Sequence, residues 1–265
     1  MVEGPGNVAH DVGAPAPETQ PGGMPWTMNG SPVSCVFLDF FGTLVDYSPS
    51  RTEQGFHRSH ALLRSMGLRM GYDEFLHEWS AESSRLDEVT QTSHREFSME
   101  DVTSDFLKRL TKSDPAPHTV AQFVEVYLDE WNKGVRYPAD APMIVATLAS
   151  RFRLAVVTNT HKADLVPRHL ANMGIADFFD SVVTSLEVGW RKPHPAIFAE
   201  ALDQMRVAPS DAVFVGDNYT ADYLGSKAAG IDGLLIDPTC RYDIPEQDRL
   251  RSLGDILQLA VPASA

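Results

Sequence analysis

Acidic and hydroxyl side chains follow three apolar runs of the sequence, and these residue types can carry out displacement chemistry. Asp39 lies near the end of CVFLDF, Thr158 ends RLAVVT, and Asp217 follows AVFVG. A carboxylate can attack phosphorus or an activated carbon, which divides one difficult displacement into two easier steps. Carboxylate oxygens are also ligands that hard divalent cations prefer. The three residues therefore predict a cation-assisted reaction site if the fold brings them together.

Short apolar runs alternate with amphipathic segments from Ser34 onward, which indicates strands linked by helices. The predicted strands cover residues 35–40, 153–158, 180–185, 212–216 and 233–236, and helical patterns cover about 162–173, 195–206 and 220–229. Helices of this length suit crossovers between parallel strands. We therefore expect an α/β fold with a Rossmann-like parallel sheet and helices on both faces. Ligands of such sheets bind at the carboxyl ends of the strands, where all three residues would lie.

Residues 47–138 interrupt this alternation of strands and helices, because they contain several helical patterns and no convincing strand. One pattern opens with Ser98-Met99-Glu100-Asp101, a capping box that is typical of a helix start. We interpret the segment as an all-helical cap domain, inserted above the carboxyl end of the first strand. The core would then comprise residues 34–46 and 139–265. Residues 1–33 are rich in Gly and Pro without hydrophobic periodicity, which predicts a disordered tail.

The composition restricts the partners and the compartment. The net charge of −14 comes from 36 acidic and 22 basic side chains, which opposes binding to nucleic acid or to an anionic membrane surface. The two cysteines, Cys35 and Cys240, have no spacing typical of a zinc site or a disulfide framework. No apolar run approaches the roughly 18 residues of a membrane span. We expect a cytoplasmic protein, and the oligomeric state stays open.

Four stretches, taken in order, resemble the motifs of the haloacid dehalogenase superfamily of hydrolases, in the branch whose helical cap follows the first motif. They are LDFFGTLVD, VVTNT, VGWRKPHPAIF and VGDNYTADYLGSKAAG, and the resemblance covers nearly all of residues 34–236. It implies that Asp39 is the nucleophile. It also implies that Thr158 and Lys192 contact phosphate oxygens and stabilise the charge of the transition state.

The same resemblance implies a magnesium site and a substrate pocket. The predicted metal ligands are Asp39, the main-chain carbonyl of Phe41, Asp217 and Asp222. The residues predicted to contact the substrate are Phe40, Phe41 and Asn159. Each motif residue also has a structural explanation: Asp39 can cap a turn, Lys192 can be a solvated surface residue, and Asp222 can cap a helix. The order of all four motifs favours the chemical roles, although both explanations stay open for Asp222.

Phe41 departs from the pattern of the phosphatases in this superfamily, in which the residue two positions after the nucleophile is an Asp. That Asp protonates the leaving oxygen and later activates water, and such general acid and base catalysis is worth about 10²- to 10⁴-fold. Phe41 therefore favours a leaving group that needs no proton. The first motif of this chain is similar to that of the dehalogenase branch, which has the form Asp-x-Tyr-Gly-Thr. The leaving group of those enzymes is a halide.

The fourth motif, in contrast, differs from that of the dehalogenases and favours a metal-dependent phosphatase. The dehalogenases carry Ser-Asn there and use no metal, whereas this chain has Gly216-Asp217-Asn218. Two buried carboxylates facing each other without a cation would be costly. We therefore predict a magnesium-dependent phosphatase that acts on a small phosphorylated metabolite through an aspartyl-phosphate intermediate. The alternatives are a 2-haloacid dehalogenase and a catalytically silent member that binds a phosphorylated ligand.

Overall fold

The computed structural model describes residues 27–28, 31–48 and 54–259. The predicted disordered tail therefore lies mostly outside the described residues. Its last part is described: Thr27–Met28 (β1) pairs in antiparallel fashion with Ser31–Pro32 (β2), and Val33 is buried in the core. Core packing thus begins one residue before the boundary that the composition predicts.

The other described strands form one six-stranded sheet and one small ladder. They are β3 Cys35–Leu38, β4 Asp46–Tyr47, β5 Val135–Arg136, β6 Arg153–Thr158, β7 Ser181–Thr184, β8 Ala212–Gly216, β9 Asp232–Ile236 and β10 Arg249–Leu250. The order in the large sheet is β10-β9-β8-β3-β6-β7, and every neighbouring pair is parallel. β4 and β5 form the separate antiparallel ladder.

The helices fall into an inserted group and a group that covers the sheet. The inserted helices are α1 His57–Ser65, α2 Tyr72–Ser93, α3 Met99–Thr111 and α4 Pro117–Trp131. The others are α5 Ala141–Ala149, α6 Leu165–Asn172, α7 Ser185–Val188, α8 Pro195–Met205, α9 Gly225–Ala228 and α10 Ile256–Leu259, with a π-helical segment at Tyr219–Leu224. Short 3₁₀ turns occupy Asn132–Gly134, Ala176–Phe178, Pro209–Asp211, Glu246–Asp248 and Leu253–Asp255. None of the described helices combines the length and the apolar character that crossing a membrane requires.

The sheet is buried on both faces because its strands are apolar at successive positions. Along β3, Val36 and Leu38 pack with α5 and α6, whereas Cys35 and Phe37 pack with α8 on the opposite face. This alternation follows from the two-residue period of a strand, and burial on both faces is typical of parallel sheets. The predicted fold class is confirmed.

The five predicted core strands are all present, with ends that differ by at most two residues from the expectation. The predicted helix over 220–229 differs in kind, since it begins as the π-helical segment and continues as α9. The sixth strand, β10, was not predicted because a two-residue strand has no periodicity to detect.

The inserted helices have a hydrophobic core of their own, which contains Phe75, Trp79, Phe106 and Phe123. The chain enters this helical insertion after β4 and leaves it at β5, and these two strands pair with each other as the β4–β5 ladder. The predicted capping box begins α3: the Asp101 N–H donates to Ser98 Oγ over 3.0 Å, and the Ser98 N–H donates to Asp101 Oδ2 over 2.9 Å. The prediction of a helix start at this position is confirmed.

Candidate active site

The central strand β3 lies between β6 and β8, so three predicted site residues meet at one edge of the sheet. Leu38, the last residue of β3, is in register with Val215 of β8, and the Asp39 N–H donates to the Val215 carbonyl oxygen over 2.9 Å. The strand order reverses between β3 and β8, which is where ligands bind in open parallel sheets. Asp39, Thr158 and Asp217 line one cavity at this point.

Three carboxylates and one ammonium form the floor of this cavity. Oxygens of Asp39, Asp217 and Asp222 all lie within 4.8 Å of one another. Lys192 Nζ lies 2.7 Å from Asp39 Oδ1 and 2.7 Å from Asp222 Oδ1. Asp39, Asp222 and Lys192 are all buried. The structure therefore brings the predicted nucleophile and the acidic pair within 4.8 Å of one another, with the motif lysine in contact with two of these three carboxylates.

Burial and mutual repulsion raise the pKa of two of these carboxyls. The pKa of Asp217 rises to about 7, mainly because the group is buried and also because Asp39 and Asp222 are negatively charged. The pKa of Asp222 rises to about 6, again mainly through burial, although the Lys192 charge opposes the rise. Burial alone would lower the pKa of Lys192, but the two adjacent carboxylates outweigh burial and raise it. Lys192 is therefore a buried cation.

The charges of these side chains fit a bound divalent cation. If all three carboxyls are ionised, one ammonium leaves two negative charges uncompensated in a buried site. Unpaired buried charge is costly, and a cation with oxygen ligands would relieve it. Asp39, Asp217 and Asp222 are the side chains that could hold such an ion.

The turn after Asp39 allows this close approach because residue 42 is glycine. Gly42 has φ +89°, a conformation that L side chains rarely adopt. A Cβ at this position would lie 2.3 Å from Asp217 Oδ2. The Gly42 N–H donates to the Val45 carbonyl oxygen over 2.8 Å, which closes the turn. The turn therefore places the backbone directly against the Asp217 carboxylate.

Asp222 uses its two oxygens for two different purposes. Oδ2 accepts the Asn218 N–H over 2.9 Å, while Oδ1 contacts the Lys192 ammonium. Asn218 in turn caps the π-helical segment, since its Oδ1 accepts the N–H groups of Thr220 and Ala221. The bond to the Asn218 N–H supports the structural explanation of Asp222, and the contact with Lys192 places its other oxygen at the cavity floor, so its chemical role stays a prediction. Single π-helical turns occur frequently at functional sites.

Asn159 holds the loop that carries the lysine. Its Oδ1 accepts the Lys192 N–H over 2.8 Å, and its Nδ2 donates to the Lys192 carbonyl oxygen over 3.2 Å. This pair of bonds fixes the Lys192 backbone next to the end of β6, where the Thr158 side chain is buried. Asn159 lines the cavity, and its amide group positions Lys192.

The cavity has a volume of about 300 Å³ and lies between the sheet and the helical insertion. Phe41 lines it, but Phe40 does not. The Phe40 ring is fully buried in the core of the sheet, so this side chain does not face the cavity, and the contact of Phe40 with substrate stays a prediction. The chain turns after Asp39, which directs consecutive phenylalanines to different environments. The Phe41 ring instead packs edge to face against Trp131, with ring centres 5.4 Å apart.

Glu96 joins the insertion to the sheet, a contact that no local sequence pattern predicts. Its carboxylate contacts His161 Nδ1 at 3.1 Å, accepts the Ser185 hydroxyl, and lies 3.6 Å from Arg191 Nε. Burial acts to raise the Glu96 pKa, but the contacts with His161, Arg191 and Ser185 outweigh burial and lower it. Adjacent Arg95 forms an antiparallel bridge with Trp190. The insertion is thus fixed next to the motif loops.

Comparison with protein families gives one match over most of the chain. A family model of haloacid dehalogenase-like hydrolases matches residues 33–230. Human haloacid dehalogenase-like hydrolase domain-containing protein 3 is 39% identical over 111 residues, which make up 40% of this chain and 43% of that protein. The glyceraldehyde 3-phosphate phosphatase of Methanopyrus kandleri is 34% identical over 165 residues, or 58% of this chain and 70% of that enzyme. The match with the human protein therefore spans less than half of that protein's length.

Solved structures share the fold over a longer part of the chain. The 2-haloacid dehalogenase from Pseudomonas syringae pv. Tomato superposes with a TM-score of 0.65 at 23% identity, covering 86% of this chain and 97% of that one. This similarity extends over both the parallel sheet and the helical insertion.

Proposed function

Because the chain belongs to the haloacid dehalogenase-like hydrolases, we propose that it is a magnesium-dependent phosphatase that acts on a small phosphorylated metabolite. The observation that carries the proposal is the buried set in which Lys192 lies 2.7 Å from both Asp39 and Asp222, with Asp217 beside them. The 34% identity to a relative named glyceraldehyde 3-phosphate phosphatase supports the same reaction class.

Asp39 would act as the nucleophile. A carboxylate oxygen of Asp39 forms a bond to phosphorus while the ester oxygen leaves, which gives an aspartyl phosphate. Water then attacks phosphorus, releases inorganic phosphate and restores Asp39. Lys192 and Thr158 would contact the phosphoryl oxygens and stabilise their charge in both steps. Lys192 is well placed because Asn159 fixes its backbone.

Magnesium would be held by Asp39, Asp217, Asp222 and the main-chain carbonyl of Phe41. When bound, it would neutralise charge that otherwise keeps a phosphate away from three carboxylates. The insertion, residues 47–138, would act as a cap over the reaction, since residues of α2, α3 and α4 line the same cavity as Asp39. A cytoplasmic location remains a prediction from the composition.

A 2-haloacid dehalogenase is the second candidate, and Phe41 is the observation that favours it. A halide leaves without a proton, so a ring at position 41 would carry no penalty. Asp217 argues against this candidate, because a carboxylate there adds repulsion to Asp39 unless a cation is present. The third candidate, a silent member, would bind a phosphorylated ligand through the same residues without turning it over.

The proposal is tested by measuring phosphate release from a panel of phosphorylated metabolites with magnesium and with excess chelator. We expect turnover only with magnesium, and we expect Asp39→Asn to abolish turnover while the fold remains. The matched control is Asp203→Asn, which changes an exposed carboxylate on α8. Chloride release from 2-chloropropionate in chelator would establish the dehalogenase instead. Saturable binding of a phosphorylated ligand without turnover would establish the silent member.

A further inference from the structure

We infer that the substrate is an aryl phosphate, in which a phenolic oxygen links an apolar ring to the phosphoryl group. This inference rests on the proposed function and specifies its substrate class. Three features of the cavity carry it: an apolar wall opposite the carboxylates, cations that are already paired, and a ring at position 41.

The helical insertion contributes a mainly apolar wall to the cavity. Its members are Phe97, Met99, Val102, Tyr127, Leu128 and Trp131. Trp131 lies against Phe41, and Phe41 lies against Tyr47 with ring centres 5.9 Å apart. The aromatic surface formed by Phe41, Tyr47 and Trp131 therefore begins two residues from the nucleophile. A planar apolar group attached to a phosphate at Asp39 would bury its faces against this surface.

The cations that line the cavity have carboxylate partners, which disfavours a second anionic group on the substrate. Arg191 Nη1 lies 3.2 Å from Asp87 Oδ1, and Arg191 Nε lies 3.6 Å from Glu96 Oε2. Lys162 is paired with Glu100. Lys192 contacts two carboxylates on the cavity floor. Among the described lining residues, every Lys and Arg is thus engaged, whereas a bisphosphate or an amino-acid phosphate would need a cation for its second anion.

Phe41 determines which leaving groups can depart. It stands two residues after Asp39, the sequence position at which a phosphatase of this superfamily would carry the Asp that protonates the ester oxygen, and a phenyl group has no proton to give. A phenolate has a conjugate acid with a pKa of about 10, whereas an alkoxide is the conjugate base of a far weaker acid and is a much poorer leaving group. The P–O bond of an aryl ester can therefore break without protonation. The missing acid and the aromatic surface thus favour the same substrates.

The test uses the wild-type protein with magnesium and three esters: phenyl phosphate, benzyl phosphate and glycerol phosphate. Phenyl and benzyl phosphate share the ring but differ in the leaving group, so we expect kcat to fall by about 10²-fold or more from phenyl to benzyl. Benzyl and glycerol phosphate both release an alkoxide but differ in the ring. We expect KM to be about tenfold lower for benzyl phosphate than for glycerol phosphate, because only benzyl phosphate has a ring to bury against the apolar wall.

The outcomes separate this inference from the proposed function. Similar kcat values for phenyl and benzyl phosphate, or similar KM values for benzyl and glycerol phosphate, would overturn the inference and leave the phosphatase proposal intact. Failure to hydrolyse any phosphate ester would overturn the proposed function, and the inference with it.

A variant of the aromatic surface gives a second measurement. In Trp131→Ala the KM advantage of benzyl over glycerol phosphate should shrink several-fold, because part of the surface that contacts the ring is lost. The matched control is Phe178→Ala, which removes an aromatic ring that is 38% exposed and outside the cavity. This control should keep the wild-type KM ratio. An unchanged ratio in a folded Trp131→Ala protein would contradict the proposed ring contact.

Discussion

Lys192 and its carboxylate partners show how single residues determine what this cavity can bind. The ammonium is buried, and it is stabilised there mainly because Asp39 and Asp222 approach it to 2.7 Å. Its charge does not balance the third carboxylate, Asp217. The residual negative charge makes an isolated phosphate an unfavourable ligand, so we expect cation binding and phosphate binding to be coupled.

The turn residue Gly42 provides a prediction at this scale. In Gly42→Ala, the new Cβ would lie 2.3 Å from Asp217 Oδ2 and the backbone would keep an unfavourable positive φ. We expect kcat/KM to fall about 100-fold or more and magnesium affinity to weaken, because the Asp217 carboxylate must move. Magnesium titrations followed by activity and by thermal unfolding would measure both effects.

Gly67→Ala is the matched control for that experiment. Gly67 has φ +88°, close to that of Gly42, but a Cβ there would meet nothing within 4 Å. It should lose about 1 kcal/mol of stability from backbone strain and keep its activity. Equal losses of activity in both variants would attribute the effect of Gly42→Ala to strain and not to Asp217.

Phe41→Asp tests whether the site can still use a carboxylate at position 41 as a general acid. The ring packs against Phe40, Tyr47 and Trp131, so a carboxylate there would be surrounded by aromatic rings and would lie close to other acids. We expect its pKa to be raised and activity to fall on aryl and alkyl phosphates alike. Phosphate release from both ester types is the measurement. A selective gain on alkyl esters would show that the site still accommodates a general acid.

The predicted residues that meet at one edge of the sheet have their signal in their immediate neighbours. Asp39 and Asp217 directly follow apolar strands and Thr158 ends one, and the parallel sheet brings such positions together. The burial of the Phe40 ring could not be predicted, because local sequence does not specify which side of a turn each ring takes. Glu96 could not be found at all, since its partner Ser185 is 89 residues away and its burial depends on docking of the insertion.

At the scale of elements, the segment between α2 and α3 is the main junction between insertion and sheet. Its backbone forms hydrogen bonds to the motif loops. The Glu96 N–H donates to the Gly189 carbonyl oxygen over 3.1 Å, and the Met99 N–H donates to the His161 main-chain carbonyl oxygen over 2.8 Å. The β4–β5 ladder is a second connection, and ion pairs such as Arg191–Asp87 are further ones. The inserted helices could be predicted from their periodicity, but these junctions join segments that are distant in sequence and have no local pattern.

Glu96→Gln tests this junction. The substitution keeps the shape but removes the charge that faces His161 and Arg191, so we expect the free energy of unfolding to fall by about 2 kcal/mol. The lowered pKa of Glu96 means that its ionised form stabilises the fold above about pH 4.5, and this contribution is lost as pH falls through the folded-state pKa. The difference from wild type should therefore be large at pH 7 and shrink in acid.

Denaturant unfolding at several pH values would measure the effect of Glu96→Gln. The matched control is Glu88→Gln on α2, which removes an exposed carboxylate. It should change stability by less than about 0.5 kcal/mol at any pH. A Glu96→Gln difference that does not depend on pH would mean that the charge contributes nothing to the junction.

At the scale of the whole molecule, two separately packed cores enclose one polar site. The sheet has an apolar cluster on each of its two faces, the helical insertion has a third, and the cavity lies between the sheet and the insertion. The alternation of strands and helices predicts this division, because each part has its own periodicity. The shape and the lining of the cavity could not be predicted, since they depend on how the two cores pack together.

Thermal unfolding of the whole protein with and without magnesium, measured at pH 5.5 and pH 8, tests the charge balance of the site. Burial raises the pKa of Asp217 to about 7, whereas the unfolded group titrates near 3.8. The folded state therefore holds an extra proton between these values, and stability without metal falls as pH rises through that window. Magnesium competes with this proton, so saturating magnesium should raise Tm more at pH 8 than at pH 5.5. Asp217→Asn should reduce both the pH dependence and the magnesium effect. An equal rise in Tm at the two pH values would show that the ion does not bind at these carboxylates.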